Sequence, residues 1–125
     1  MSVAGAVSAN PKQIFPHNGR ITMNEKTEIL SQIKLAVQRV DPKADLILFG
    51  SQARGDQRAD SDWDILVLTE KEINTTYKNA VRNELYYIQI MLEISISSLF
   101  RSKHKWENES FIPVEKEIKR EGVYL

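Results

Sequence analysis

Two acidic residues one position apart, Asp62 and Asp64, head the apolar run Ile65-Leu66-Val67-Leu68. Side chains alternate across a strand, so both carboxylates share one face while Trp63, Ile65 and Val67 take the other. Carboxylates at that spacing can share a hard divalent cation. Magnesium suits such a pair, because it takes few protein carboxylates and keeps waters and substrate phosphate oxygens as its other ligands. Ten residues upstream, Gly50-Ser51 closes a second apolar run, Leu46-Ile47-Leu48-Phe49. Glycine lets backbone approach a phosphate unobstructed. Ser51 adds a hydroxyl, and the amides after it open a helix whose N-terminus attracts anions. Arg54 and Arg58 lie in the same connection and can pair with phosphates. For Arg54 a ligand role and a structural ion pair are equally open, whereas Arg58 reads as a solvated turn residue. Phosphate plus divalent cation is the chemistry of nucleotides, so this segment points toward nucleotidyl transfer.

Neither half of the pattern carries weight alone. Gly-Ser turns are common, and Asp-x-Asp is often a turn or an N-cap pair. The combination is far more specific: strand, Gly50-Ser51, ten residues, Asp62-x-Asp64, apolar strand.

These residues need elements to hold them. Ile29, Ile33, Ala36, Val37 and Val40 recur at helical spacing after Asn24, an N-cap type, and Asp41-Pro42 ends that helix. Residues 45–49 read as a buried strand, Ser51 to about Gly55 as a short helix, and Asp62–Leu68 as a second strand. Ile73, Tyr77, Val81, Leu85, Ile88 and Leu92 then step by three or four residues, which predicts an amphipathic helix from about Lys71 to Leu92. From Glu93 the period changes to two, predicting a third strand through Phe100. Ser102 to about Glu109 has helical composition anchored by Trp106, and a last helix runs from Pro113 to a stop at Gly122. The order predicts one small α/β (α+β) domain over residues 23–125, with a three- to four-stranded sheet flanked by helices. Residues 1–22, with Asn10-Pro11, Phe15-Pro16 and Asn18-Gly19, read as an irregular N-terminal arm.

Composition narrows the function further. The chain has 125 residues, 42% hydrophobic and 27% charged, with 17 Lys+Arg against 17 Asp+Glu. That balance argues against a bulk nucleic-acid binder. Without cysteine there is no disulfide framework or thiolate metal site, which fits the cytoplasm. No apolar run approaches the length of a membrane span, and no signal peptide is expected. His17 and His104 have no second ligand at metal spacing and read as surface residues.

The motif Gly50-Ser51 … Asp62-Trp63-Asp64, with Ala53-Arg54-Gly55 and Ser61 in place, resembles the nucleotidyltransferase superfamily of DNA polymerase beta. More narrowly it is similar to the bacterial and archaeal minimal nucleotidyltransferases, relatives of kanamycin nucleotidyltransferase. The resemblance covers about residues 24 to 100. It implies a mixed sheet, Mg2+ and a nucleoside triphosphate, usually ATP. It implies Gly50 and Ser51 at the phosphates and Asp62 and Asp64 as metal ligands. Minimal members are often encoded beside a helical partner called HEPN, and in characterised pairs they act as antitoxins that adenylylate the toxin on tyrosine. The resemblance therefore implies AMP transfer to a hydroxyl acceptor, first a partner tyrosine and second a small hydroxylated molecule. Active members carry a third carboxylate near the centre of the next strand. Here that segment reads Glu93-Ile94-Ser95-Ile96-Ser97-Ser98, and only Glu93 is acidic. Glu93 is the candidate third acid, with a solvated strand-start residue as the equal alternative. If it does not serve, a weakly active or inactive binding module is the alternative reading. A homo-oligomer remains open.

Overall fold

The structure, a computed structural model, describes residues 22–55, 61–108 and 112–125. The expected N-terminal arm lies outside these residues except for Thr22, as does Arg58. Thr22 caps the first helix, α1 (Met23–Val40): its hydroxyl accepts from the Glu25 amide, and the Glu25 carboxylate accepts from the Thr22 amide. This reciprocal box satisfies two amides at once and starts the helix before the expected cap at Asn24. The following elements are β1 (Asp45–Phe49), α2 (Ser51–Arg54), β2 (Trp63–Thr69) and α3 (Thr75–Leu92). After them come β3 (Ile96–Ser102), α4 (Lys103–Asn108), α5 (Pro113–Glu121) and β4 (Val123–Tyr124).

The strands form one mixed sheet in the order β3-β2-β1-β4. β1 runs antiparallel to β2 and to β4, while β2 and β3 are parallel. A parallel pair needs a crossover, and α3 supplies it. Alternation along β1 and β2 divides the core in two. Leu46, Leu48, Trp63, Ile65 and Val67 pack against Ile29, Ile33 and Val37 of α1 and Tyr77, Val81 and Leu85 of α3. Ile47, Leu66 and Leu68 face the other way, onto Trp106 of α4 and Ile118 of α5. Each fully buried side chain of this size stabilises the fold by about 1.5–3 kcal/mol. The larger cluster is therefore the anchor of the sheet, and the smaller covers only part of the second face.

Two element starts shift for local reasons, and one strand is added. α3 begins at Thr75 rather than near Lys71, because the Asn74 side chain caps the Tyr77 amide and the Lys71 amide is held by the Thr69 hydroxyl. β3 begins at Ile96 rather than Glu93. Glu93 takes a left-handed conformation (φ 55°, ψ 46°) as the cap of α3, with its own amide and that of Ile94 both donating to the Gln89 carbonyl. A left-handed residue cannot continue a strand, so the alternation from Glu93 through Ser95 to Ser97 is broken at its first member. The C-terminal Val123–Tyr124 adds a short strand beside β1 that the apolar pattern was too brief to announce. Among the described residues no helix is long and apolar enough to cross a membrane.

Candidate functional site

Strand register lays out the second face of the sheet row by row. Phe49 on β1, Asp64 on β2 and Ser97 on β3 form one row. Tyr124, Ile47, Leu66 and Leu99 form the next. Asp62 lies just before β2, where the Trp63 amide donates to the Ser95 carbonyl at 2.8 Å. The two aspartates thus sit at the end of this face, in and just before the row of Phe49.

The phosphate-loop candidate lies against them. Gly50 has φ 76° and ψ −158°, a region essentially confined to glycine. A Cβ there would run into the Asp64 carboxylate, with Cγ at 3.2 Å. Position 50 therefore excludes a side chain twice, by its backbone and by its neighbour. Ser51 opens α2, whose first amides have no intrahelical acceptor. The Ala53 and Arg54 amides close the turn on the Gly50 carbonyl at 3.1 Å each. Loop and strand thus place Gly50, Ser51, Asp62 and Asp64 together.

The electrostatics of the pair are unfavourable as they stand. Desolvation raises the Asp64 carboxyl above its ordinary value and the Asp62 charge raises it further, while the Arg54 charge pulls the other way. Two repelling carboxylates beside a half-exposed counter-charge fit a divalent cation, whose charge would offset both raising effects. Asp62 and Asp64 are the residues that would hold it. Among the described residues, no three His, Cys, Asp or Glu side chains are grouped as a cation site. Glu93 is exposed at the helix cap, and the residue of β3 beside Asp64 is Ser97.

Arg54 makes the structural ion pair left open for it and also stands near the aspartates. Its guanidinium lies 3.6 Å from the Glu121 carboxylate at the end of α5, yet its charge reaches Asp64. Glu121 had no signal in the sequence, since the pairing depends on how α5 packs. Two further contacts were equally invisible. The Lys26 ammonium donates to the Gln52 carbonyl at 2.6 Å, and the buried Gln52 amide donates to the Ser61 carbonyl at 3.3 Å.

Comparison with known proteins agrees with this geometry. The sequence matches the family described as "Polymerase beta, Nucleotidyltransferase" over residues 31–122. A crystal structure of a toxin-antitoxin with AMP-PNP is similar with a TM-score of 0.57 at 20% identity, covering 75% of this chain and 69% of that one. A crystal structure of a mutant of the toxin-antitoxin MntA-HpeT is similar with a TM-score of 0.52 at 19% identity, covering 85% of this chain and 72% of that one. Likeness at these identities is a likeness of fold. No curated protein matches the sequence.

Proposed function

Because this chain belongs to the polymerase beta nucleotidyltransferase family, we propose that it moves a nucleoside monophosphate, AMP from ATP, to a hydroxyl acceptor. The observation that carries the reading is the close approach of Gly50 to Asp64, which puts a side-chain-free backbone directly against that carboxylate. Gly50 and Ser51 hold the phosphates, Arg54 adds positive charge beside them, and Asp62 and Asp64 hold Mg2+. The cation, when bound, neutralises phosphate charge as the leaving group departs. The chain's own part is positioning: Gly50 admits the phosphate, Ser51 donates a hydrogen bond to it, and the aspartates orient the nucleotide through the shared ion.

The acceptor we propose is a tyrosine on a helical, HEPN-type protein partner, with this chain as the antitoxin. Support comes from the fold likeness to two toxin-antitoxin structures, one of them with AMP-PNP. A second reading, nucleotide binding without transfer, is favoured by one observation: β3 reads Ile-Ser-Ser-Leu-Phe-Arg-Ser and offers no carboxylate beside Asp64. Glu93 is the acid proposed to fill that gap. Incubation with labelled ATP, magnesium and a co-expressed helical partner separates the readings. Label on a partner tyrosine that disappears in Glu93→Gln, with ATP binding retained, supports transfer through Glu93. Equal transfer by the variant removes Glu93 from the site. Magnesium-dependent ATP binding without label on any partner supports the binding module.

A further inference from the structure

We infer that Gln52, braced by Lys26, is a positioning residue that sets the distance between the phosphate loop and the aspartate pair; this rests on the nucleotide reading above. α2 has four residues, Ser51–Arg54, too few to hold a shape alone. Its placement must come from tertiary contacts, and Gln52 is its one buried residue. The Gln52 side chain is 0% exposed. Its amide nitrogen donates to the Ser61 carbonyl at 3.3 Å. Gln52 follows Ser51 directly, and Ser61 precedes Asp62 directly. One hydrogen bond therefore ties the residue after the proposed phosphate-binding serine to the residue before the first proposed metal-binding aspartate. From the other side, the Lys26 ammonium reaches from α1 to the Gln52 carbonyl at 2.6 Å. The phosphate loop is thus clamped between the first helix and the aspartate strand.

The choice of residue supports a role beyond stability. Among the described residues, the side-chain oxygen of Gln52 and the indole nitrogen of buried Trp63 have no hydrogen-bond partner. A half-satisfied amide in a dry position is unfavourable compared with an apolar side chain of the same length. What the amide adds is the crosslink. Sites that depend on two groups acting on one ligand lose function steeply when those groups shift, which is where a crosslink of this kind matters.

Gln52→Met keeps length and burial and removes only the amide. Calorimetric titration with ATP, in magnesium and in EDTA, is run beside thermal melts for wild type, Gln52→Met, Lys26→Met and Asp64→Asn. The expected result is a Gln52→Met protein that melts at or above wild type and loses about tenfold in magnesium-dependent affinity, the worth of one hydrogen bond. Its affinity in EDTA should match wild type. Lys26→Met, which leaves the core intact, should lose about threefold in the magnesium-dependent part alone, as expected of a partly solvated contact. Wild-type affinity in both variants overturns the inference and leaves the nucleotide site standing. Equal losses with and without magnesium, accompanied by lower melting, also overturn it, because they describe a fold defect. A Gln52→Met protein that does not fold passes the decision to Lys26→Met. A wild type with no magnesium-dependent affinity overturns the nucleotide reading and this inference together.

Discussion

β2 ends in a carboxylate environment at each tip, and the two could hardly differ more. At its C-terminal end Asp41 is buried, and its Oδ2 accepts from the Thr69 hydroxyl at 2.6 Å and the Tyr77 hydroxyl at 2.8 Å. Burial alone would raise its carboxyl, but those two hydrogen bonds, the Lys71 charge and the Lys43 backbone amide outweigh it and leave the carboxyl below its ordinary value. Burial and Asp41 in turn push the Tyr77 phenol up to about 12. At the N-terminal end Asp64 faces Asp62 and a glycine backbone, and its carboxyl sits above the ordinary value. One aspartate is satisfied by the protein and joins α1, β2 and α3. The other lies beside a second carboxylate, with the Arg54 charge only partly offsetting burial and that repulsion. Under the proposed function, the difference separates a carboxylate kept for the fold from one kept for chemistry, because perturbed carboxylates cluster at functional sites.

Neutralising each carboxylate should therefore do opposite things. Asp64→Asn removes the repulsion with Asp62, so the metal-free protein should melt no lower than wild type while magnesium-dependent ATP binding is lost outright. Calorimetry and melting on the same preparation check both halves; retained magnesium dependence would count against Asp64 as a ligand. Asp41→Ala should leave nucleotide affinity intact and destabilise the fold by about 3 kcal/mol, because two buried hydroxyls lose a charged acceptor. Urea unfolding measures this, and a loss near zero would show that water replaces the carboxylate. Ser51→Ala comes next in size. It should weaken triphosphate binding by about 1–3 kcal/mol, the worth of a hydrogen bond to a charged group, and leave adenosine untouched. Equal losses for both ligands would make Ser51 a fold residue.

The same contrast governs what could be read from the sequence. The candidate site was legible because its members lie close along the chain: Gly50-Ser51 and Asp62-x-Asp64 flank one connection, and strand alternation alone puts both acids on one face. The helices were legible in their apolar periods, down to the buried Ile29, Ile33 and Val37 of α1 and Val81, Leu85 and Ile88 of α3. Legibility failed where a side chain acts at a distance or a backbone changes region. The Asp41–Thr69–Tyr77 network spans 28 and 36 residues, and Asp41 read only as the end of a helix. Glu93 was assigned to a strand by alternation, yet it adopts the left-handed cap that glycine or asparagine more often fills. Tyr86 and Tyr87 lie off the stripe of Tyr77, Val81, Leu85 and Ile88 and point outward, 57% and 64% exposed, while Tyr77 on the same helix is buried. Residue type could not separate them, because tyrosine suits both settings.

The smallest effect is also the sharpest test of the comparison, since both aspartates titrate in the same acid range with opposite signs. Asp41 has a folded-state carboxyl below its ordinary value of 3.8. Its contribution is fully present above that value and is lost as pH falls through the folded one. Asp64 lies above the same ordinary value. The native state therefore takes up its proton first, and stability is gained as pH falls through the raised folded-state value. In wild type the Asp64 gain comes first on acidification and softens the later Asp41 loss. Replacing Asp64 with Asn removes the gain, so stability should fall more steeply on acidification. Replacing Asp41 with Asn removes the loss, so the fall should flatten from a lower starting stability. Melting temperatures recorded in metal-free buffer from neutral pH down to about pH 3, near the intrinsic carboxylate range, resolve the two slopes. Parallel curves for the two variants would mean that the ends of β2 are electrostatically alike, and the distinction between a structural and a functional aspartate would fall with them.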